Sequence, residues 1–244
     1  MKRAAAVLLA GCVAASSALA GTVTLGSNAS LDLGTGNLAL GCADLDVAGQ
    51  LAAGSVGFTG GRDVTILPNG VVDGGTATLE LSGDWDNQGT FVAGTSTVRI
   101  VDGCSLLSGM ILGKSAFHAL ELESASGRQV TFEAGTTQQV TGAFSVAGVD
   151  GNLLKIRSSV DGEVAYLNVT GASSASYVDV QDNDATPGNP IPLDSGSVKG
   201  PNTPGWQLSA VVPLLPPFAL GLLALGLVEA GRRALRKADR EPTL

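Results

Sequence analysis

From Thr22 to Val180, apolar residues recur at every second position in short runs, and each run ends in Gly, Asn, Asp or Ser. Examples are Thr22-Val23-Thr24-Leu25, Leu45-Asp46-Val47, Asp63-Val64-Thr65-Ile66, Thr97-Val98-Arg99-Ile100 and Tyr177-Val178-Asp179-Val180. Period two with turn residues at both ends is the pattern of a half-buried strand. Gly60-Gly61, Asn69-Gly70, Gly74-Gly75 and Asp161-Gly162 supply the positive-φ positions that tight turns need. No stretch before Ala210 holds a 3.6-residue period long enough for a helix, and 34 of the 244 residues are Gly, which weakens helices further. The body is all-β.

Repetition narrows the architecture. Phe91-Val92-Ala93-Gly94-Thr95-Ser96 returns as Phe132-Glu133-Ala134-Gly135-Thr136-Thr137, an offset of 41 residues, which matches two coils of about 20 residues each. Strands of this length and spacing suit a right-handed parallel β-helix of about eight or nine coils, with Val, Leu and Ile stacked inside. An antiparallel β-sandwich meets the same strand spacing and stays open as the alternative. In the solenoid, Cys42 and Cys104 are 62 residues or three coils apart. At ~4.8 Å per coil that is roughly 14 Å, beyond the ~7 Å within which two Cα atoms can be bridged. Regular stacking thus predicts two separate buried thiols, and a disulfide between them would speak against it.

Both ends read as targeting segments. Lys2 and Arg3 precede an apolar run, residues 4–15, too short to span a bilayer, and Ala18-Leu19-Ala20 offers the small-x-small pattern of signal peptidase, with cleavage before Gly21. Leu9-Ala10-Gly11-Cys12 offers a competing lipobox, with Cys12 lipidated. Either route implies the Sec machinery and a signal peptidase. The expected organisation is a signal peptide over residues 1–20, a β-solenoid ectodomain over 21–206 and a Pro-containing linker over 207–217. A membrane span begins near Val211 and continues through 218–228, followed by a basic cytoplasmic tail over 229–244.

That tail carries a resemblance. Pro213, Pro216 and Pro217, one apolar span and the cluster Arg232, Arg233 and Arg236 are similar in order to the tripartite sorting tails of Gram-negative surface proteins, the PEP-CTERM and IPTL-CTERM families. The similarity covers about the last 30 residues and lacks the Glu of Pro-Glu-Pro. It implies cleavage near the prolines by an exosortase-class protease; a plain membrane anchor is the other reading. The stretches Asp84 to Gly103 and Ala175 to Trp206 resemble segments of secreted solenoid and adhesin-type proteins, which implies an extracellular body without implying one activity.

Charge separates the body from the ends. Residues 21–210 carry 7 Lys/Arg against 19 Asp/Glu. Nucleic-acid binding needs a basic footprint, so this balance argues against it. Site chemistry is sparse. His118 is the sole histidine, with no nucleophile-elbow pattern to serve, so it reads as an ordinary strand or surface residue. Asp84 with Asp86 could supply paired acids but suits turn chemistry. Asp179, Asp182 and Asp184, on a loop with closely spaced oxygens, form a weak candidate for Ca²⁺ without an EF-hand frame, and no other cofactor is expected. Trp206 is placed to close the last coil.

The function expected from these features is non-enzymatic: a structural or adhesive envelope protein that contacts exopolysaccharide or matrix. A polysaccharide-binding or -cleaving β-helix protein is the alternative. The enzyme reading requires Asp84, Asp86, Asp179 and Asp182 to converge in one groove within about 5–10 Å; dispersal favours the structural reading.

Overall fold

The computed structural model describes residues 21–209. The signal peptide and its lipobox alternative (residues 1–20) lie outside the described residues, as do the apolar span, the proline motif and the arginine cluster (210–244).

The chain winds through short strands, coil after coil. The first four coils hold three strands each: β1 (Thr22–Leu25), β2 (Ser30–Asp32) and β3 (Asn37–Ala39); β4 (Asp44–Val47), β5 (Gln50–Ala52) and β6 (Gly57–Gly61); β7 (Val64–Ile66), β8 (Val71–Asp73) and β9 (Thr78–Leu81); β10 (Trp85–Asn87), β11 (Thr90–Val92) and β12 (Thr97–Ile100). Two coils of two long strands follow: β13 (Ser108–Gly113) with β14 (Ala116–Glu123), and β15 (Gln129–Phe132) with β16 (Thr137–Ala147). The last coils hold β17 (Leu154–Ser158), β18 (Ala165–Val169) and β19 (Ala172–Ser176); β20 (Val178–Val180), β21 (Asn183–Asp184) and β22 (Ile191–Leu193); β23 (Val198–Lys199) and β24 (Trp206–Leu208).

Like strands stack in parallel. One nine-stranded face runs β1-β4-β7-β10-β13-β15-β17-β20-β23, a second face is the four-stranded run β2-β5-β8-β11, and a third runs from β3 to β24. The result is a parallel β-solenoid of about eight turns, as the strand pattern predicts, and the sandwich alternative falls because every named strand pair is parallel.

The core consists of columns along the axis. Leu45, Val64, Trp85 and Ile111 occupy matching positions on successive coils, as do Phe58, Leu79, Val98, Leu120 and Phe144. All are buried, and burial of such side chains stabilises by about 1.5–3 kcal/mol each. The second face stops at β11; beyond it β14 and β16 bend around the corner, β14 through an irregularity between Phe117 and Ala119. Ser115 gathers the polar donors at this point: Trp85 Nε1 and Asn87 Nδ2 each donate to Ser115 Oγ at 3.0 Å, and the Ser115 amide donates to Gln138 Oε1, while Asn87 Oδ1 is buried without a partner.

Between the second and third faces, one corner is built from stacked glycines. Gly34, Gly54, Gly75 and Gly94 all have positive φ, between 56° and 68°. The amides of Ser55, Thr76 and Thr95 donate to the carbonyls of Gly34, Gly54 and Gly75, at 2.8, 3.0 and 2.7 Å. A Cβ on Gly54, Gly75 or Gly94 would sit only 2.0–2.4 Å from the carbonyl oxygen of the glycine one coil below. This ladder corrects the phase of the 41-residue repeat. Gly94 follows β11, whereas Gly135 follows β15 on the nine-stranded face, so the matching hexapeptides turn different corners. An Ala-Gly-Thr turn encodes the local bend, not the side of the coil on which the bend occurs.

The second correction concerns the cysteines. Cys42 and Cys104 form a disulfide with Cα atoms 5.5 Å apart, and the solenoid is intact. The 14 Å expectation treats every corner alike, but residues 101–107 make an enlarged corner between β12 and β13. That loop turns back along the corner toward the first coils, and side chains span the remaining distance. A side-chain carbon at Gly103 would lie 3.2 Å from Ser82 Cβ, Cys104 Sγ lies 3.9 Å from the Gly61 carbonyl, and the bridge then reaches Cys42. Leu106 N to Gly103 O closes the loop at 2.9 Å. Cys104 and Ser105 have positive φ, uncommon for residues with a Cβ.

Candidate functional site

The outer surface of the nine-stranded face assembles carboxylates that are far apart in sequence. Asp44, Asp63 and Asp84 immediately precede the stacked core residues Leu45, Val64 and Trp85, so they rise one above another at the ~4.8 Å coil spacing. Asp46 and Asp86 flank Thr65 in the parallel column two residues on. Each stacked acid is tied to its surroundings. Arg62 donates to both oxygens of Asp44 and lies 3.4 Å from Asp63. Asp63 Oδ1 accepts the Asp84 amide at 2.8 Å, and Asp84 Oδ1 accepts the Met110 amide at 2.7 Å. Burial pushes the Asp84 carboxyl above its ordinary value, against the Met110 bond and with help from Asp63 and Asp86.

Behind this ladder lies a residue that the sequence reading passed over. Arg128 is 0% exposed and donates to the main-chain carbonyls of Ser82 and Val101, capping two corner oxygens that no strand reaches. Burial lowers its pKa, while Asp102 and Asp84 act in the other direction. The tetrapeptide Ser126-Gly127-Arg128-Gln129 offers no sign of this, since a cation between turn and strand normally faces water.

The same corner opens into a groove of about 400 Å³, bordered by Val101, Asp102, Glu123, Ala125, Ala147 and Val149. Both of its acids are engaged. Asp102 accepts from Ser124 Oγ and the amides of Ala125 and Ser126, at 2.8, 2.8 and 3.0 Å. Burial raises its pKa, but these bonds outweigh burial and hold it below the usual carboxylate range. Glu123 pairs with Arg99 at 2.8 Å, and Arg99 also bridges Glu80 and Glu121, each at 3.0 Å.

The residues singled out in the sequence occupy separate places. Asp84 and Asp86 belong to the acid ladder on the fourth coil, and Asp179 lies four coils further along the same face, roughly 19 Å away at the coil spacing. Asp179 pairs with Arg157 at 2.6 Å. Asp182 is buried at a corner and accepts from Gly162 N, Gln181 Nε2 and Asn202 Nδ2. Burial alone would raise its pKa; these donors, with Arg157, bring it below the ordinary value. Asp184 bonds the amide and hydroxyl of Thr186 at 2.8 and 2.6 Å. Among the described residues no three His, Cys, Asp or Glu side chains are grouped to hold a metal ion. His118 lies in β14, half-buried against Gly142. Trp206 is fully buried in the last strand; its Nε1 donates to Asn183 Oδ1 at 3.0 Å and its ring meets Phe144 edge-on.

No family model, curated protein or solved structure matches this chain.

The body therefore offers stacked acids along one sheet face and a corner groove, with most of these acids held in ladder, cap and ion-pair contacts.

Proposed function

We propose that this chain is an exported envelope protein whose right-handed β-solenoid body serves as a structural or adhesive surface outside the cytoplasmic membrane. The Cys42–Cys104 disulfide carries the reading. Such bonds form and persist in oxidising compartments and are rare where thiols are kept reduced, which agrees with a cleaved signal peptide ahead of Gly21. The acids stacked along the nine-stranded face, Asp46, Asp63 and Asp86 with the Arg62–Asp44 pair beside them, suit contact with an extended matrix or exopolysaccharide rather than enclosure of a small substrate. The tail would anchor the body or be cut at Pro213, Pro216 and Pro217 by an exosortase-class protease.

The test is protease shaving of intact producing cells with an impermeant protease, followed by mapping of the released peptides. Exposure outside predicts peptides from residues 21–209; a body protected until the cells are lysed would refute the placement. The corner groove beside Asp102 and Glu123 favours glycan binding as a second reading, which predicts protection of residues 101–125 from hydrogen exchange by exopolysaccharide fragments.

A further inference from the structure

The corner between the third face and the nine-stranded face turns through left-handed backbone, and at several coils glycine supplies it. Gly41, Gly60, Gly127 and Gly151 have φ between 58° and 79°. The Cys42–Cys104 bridge joins two tight turns at this corner, Leu40-Gly41-Cys42-Ala43 and Gly103-Cys104-Ser105-Leu106. They are closed by Ala43 N to Leu40 O at 3.1 Å and by Leu106 N to Gly103 O at 2.9 Å. Both central residues have positive φ in each turn: 58° and 67° in the first, 48° and 59° in the second. Such turns take Asn and Gly at the centre, because a Cβ is crowded there. In the second turn both central residues carry one.

The two cysteines are held unequally. Cys42 sits in the main-chain ladder: its amide donates to the Gly60 carbonyl at 2.7 Å, and Arg62 N donates back to Ala43 O at 3.0 Å. The loop with Cys104 is fixed at its two roots. Val101 N donates to Leu81 O, the Val101 carbonyl accepts from Arg128, Asp102 accepts the amides of Ala125 and Ser126, and Leu107 O accepts from Gln129 N. Between the roots, residues 103–106 make one hydrogen bond inside the loop and one toward earlier coils, the 3.9 Å contact of Cys104 Sγ with the Gly61 carbonyl. The disulfide is therefore the main tie that holds this turn down over the corner at Gly61 and Ser82. Strained backbone of this kind persists only where something imposes it, and it gathers in switch regions. Both cysteines are partly exposed and Ser105 is exposed, and accessible disulfides are the ones that thiols open.

We propose that the Cys42–Cys104 bond is a thiol-released clasp: a dithiol opens it, the 103–106 turn leaves the corner and relaxes out of left-handed backbone, and the solenoid stays wound. One thiolate of the dithiol attacks a bridge sulfur, forming a mixed disulfide and expelling the other cysteine as a thiolate. The second thiol of the reagent then closes onto the first and releases the remaining cysteine. The dithiol loses two electrons and two protons and becomes a cyclic disulfide; Cys42 and Cys104 end as thiols. The coil that carries the loop keeps its own ladders, since β10 pairs β13 and β12 pairs β14 on either side of it. Cys42 stays in place and Cys104 moves. The clasp goes beyond the proposed surface role and does not depend on where the body resides, so its failure leaves the shaving test untouched.

The experiment uses the full chain, purified without reductant and placed in dithiothreitol buffers of graded reduced-to-oxidised ratio, without denaturant. Opening is read by alkylation and mass, the fold by circular dichroism, and the turn by hydrogen exchange at the Leu106 amide. The expected result is alkylation of both cysteines with the β spectrum kept and Leu106 exchange raised at least about ten-fold. A bridge that resists dithiothreitol until urea unfolds the body overturns the proposal. So does a β spectrum lost on reduction, or Leu106 exchange that does not change. The variant S105G tests the strain: it removes one Cβ from left-handed backbone, and the reduced-to-oxidised ratio needed for half-opening is expected to rise about five-fold. An unchanged or lowered ratio overturns the proposal that left-handed backbone drives the release.

Discussion

Replacing Gly75 by Ala tests whether the glycine corner is held by close stacking. Gly75 has a φ of 57°, and a Cβ there would lie 2.4 Å from the Gly54 carbonyl oxygen, with Gly54 backbone atoms behind it. Left-handed backbone costs an L-residue about 1–2 kcal/mol. Forcing an extra carbon into packed backbone costs about 1–3 kcal/mol more, for a total of roughly 2–5 kcal/mol. Gly135 is the control: its φ is 72°, but nothing lies within 4 Å of its Cβ position. Gly135→Ala should therefore lose only the backbone part, about 1–2 kcal/mol. For a folded body of this size 1 kcal/mol moves the Tm by about 2–4 °C, so the expected falls are about 4–20 °C for Gly75→Ala and about 2–8 °C for Gly135→Ala. Thermal unfolding followed by circular dichroism on the full chain reads both. Equal losses, or a larger loss for Gly135→Ala, would show that stacking across coils is not what selects glycine at this corner.

Opening the bridge with C42S/C104S should cost about 4 kcal/mol from the 62-residue loop it closes, with the early coils exchanging amide hydrogens faster than the coils after β15; unchanged exchange before residue 100 would contradict the clasp. Asp84 has a raised pKa in the folded state, so its ionisation opposes folding once pH rises past the unfolded value near 4. D84N, which keeps an oxygen for Met110, should then raise the Tm at pH 7 and leave it nearly unchanged at pH 3. Asp102 and Asp182 have depressed pKa values, so their contribution is present above the unfolded pKa and disappears as pH falls through the folded one. D102N should lower the Tm at pH 7 and flatten its decline below pH 4; an unaltered acid limb would show that the carboxylate is not used. Arg128→Met removes the donors to the Ser82 and Val101 carbonyls, and two unsatisfied buried groups predict a loss of about 2–6 kcal/mol by urea unfolding.

The solenoid was legible because its two causes are local. Period-two runs such as Thr97-Val98-Arg99-Ile100 specify strands with one buried face, and turn residues every few positions keep most of them short. A Gly-Thr or Gly-Ser pair at Gly34, Gly54, Gly75 and Gly94 marks one corner with spacings of 19 to 21 residues, a signal present in the chain and stronger than the Phe91/Phe132 match. What could not be read depends on where a coil departs from the average. Residues 101–107 enlarge one corner and carry Cys104 down to Cys42, so uniform coil arithmetic fails there. Arg128 and Asp182 look like surface residues in sequence; their burial follows from carbonyls and amides contributed by neighbouring coils. The acid ladder was half visible, in Asp84 and Asp86, because Asp44 and Asp63 join it only once the register between coils is known.

The most direct test of an exported, bridged solenoid is the mass of the protein taken from its own cells, alkylated before reduction and fragmented at both termini. The account predicts a chain that begins at Gly21 and carries no alkyl group on Cys42 or Cys104. A chain that retains Met1 with both cysteines alkylated would contradict it.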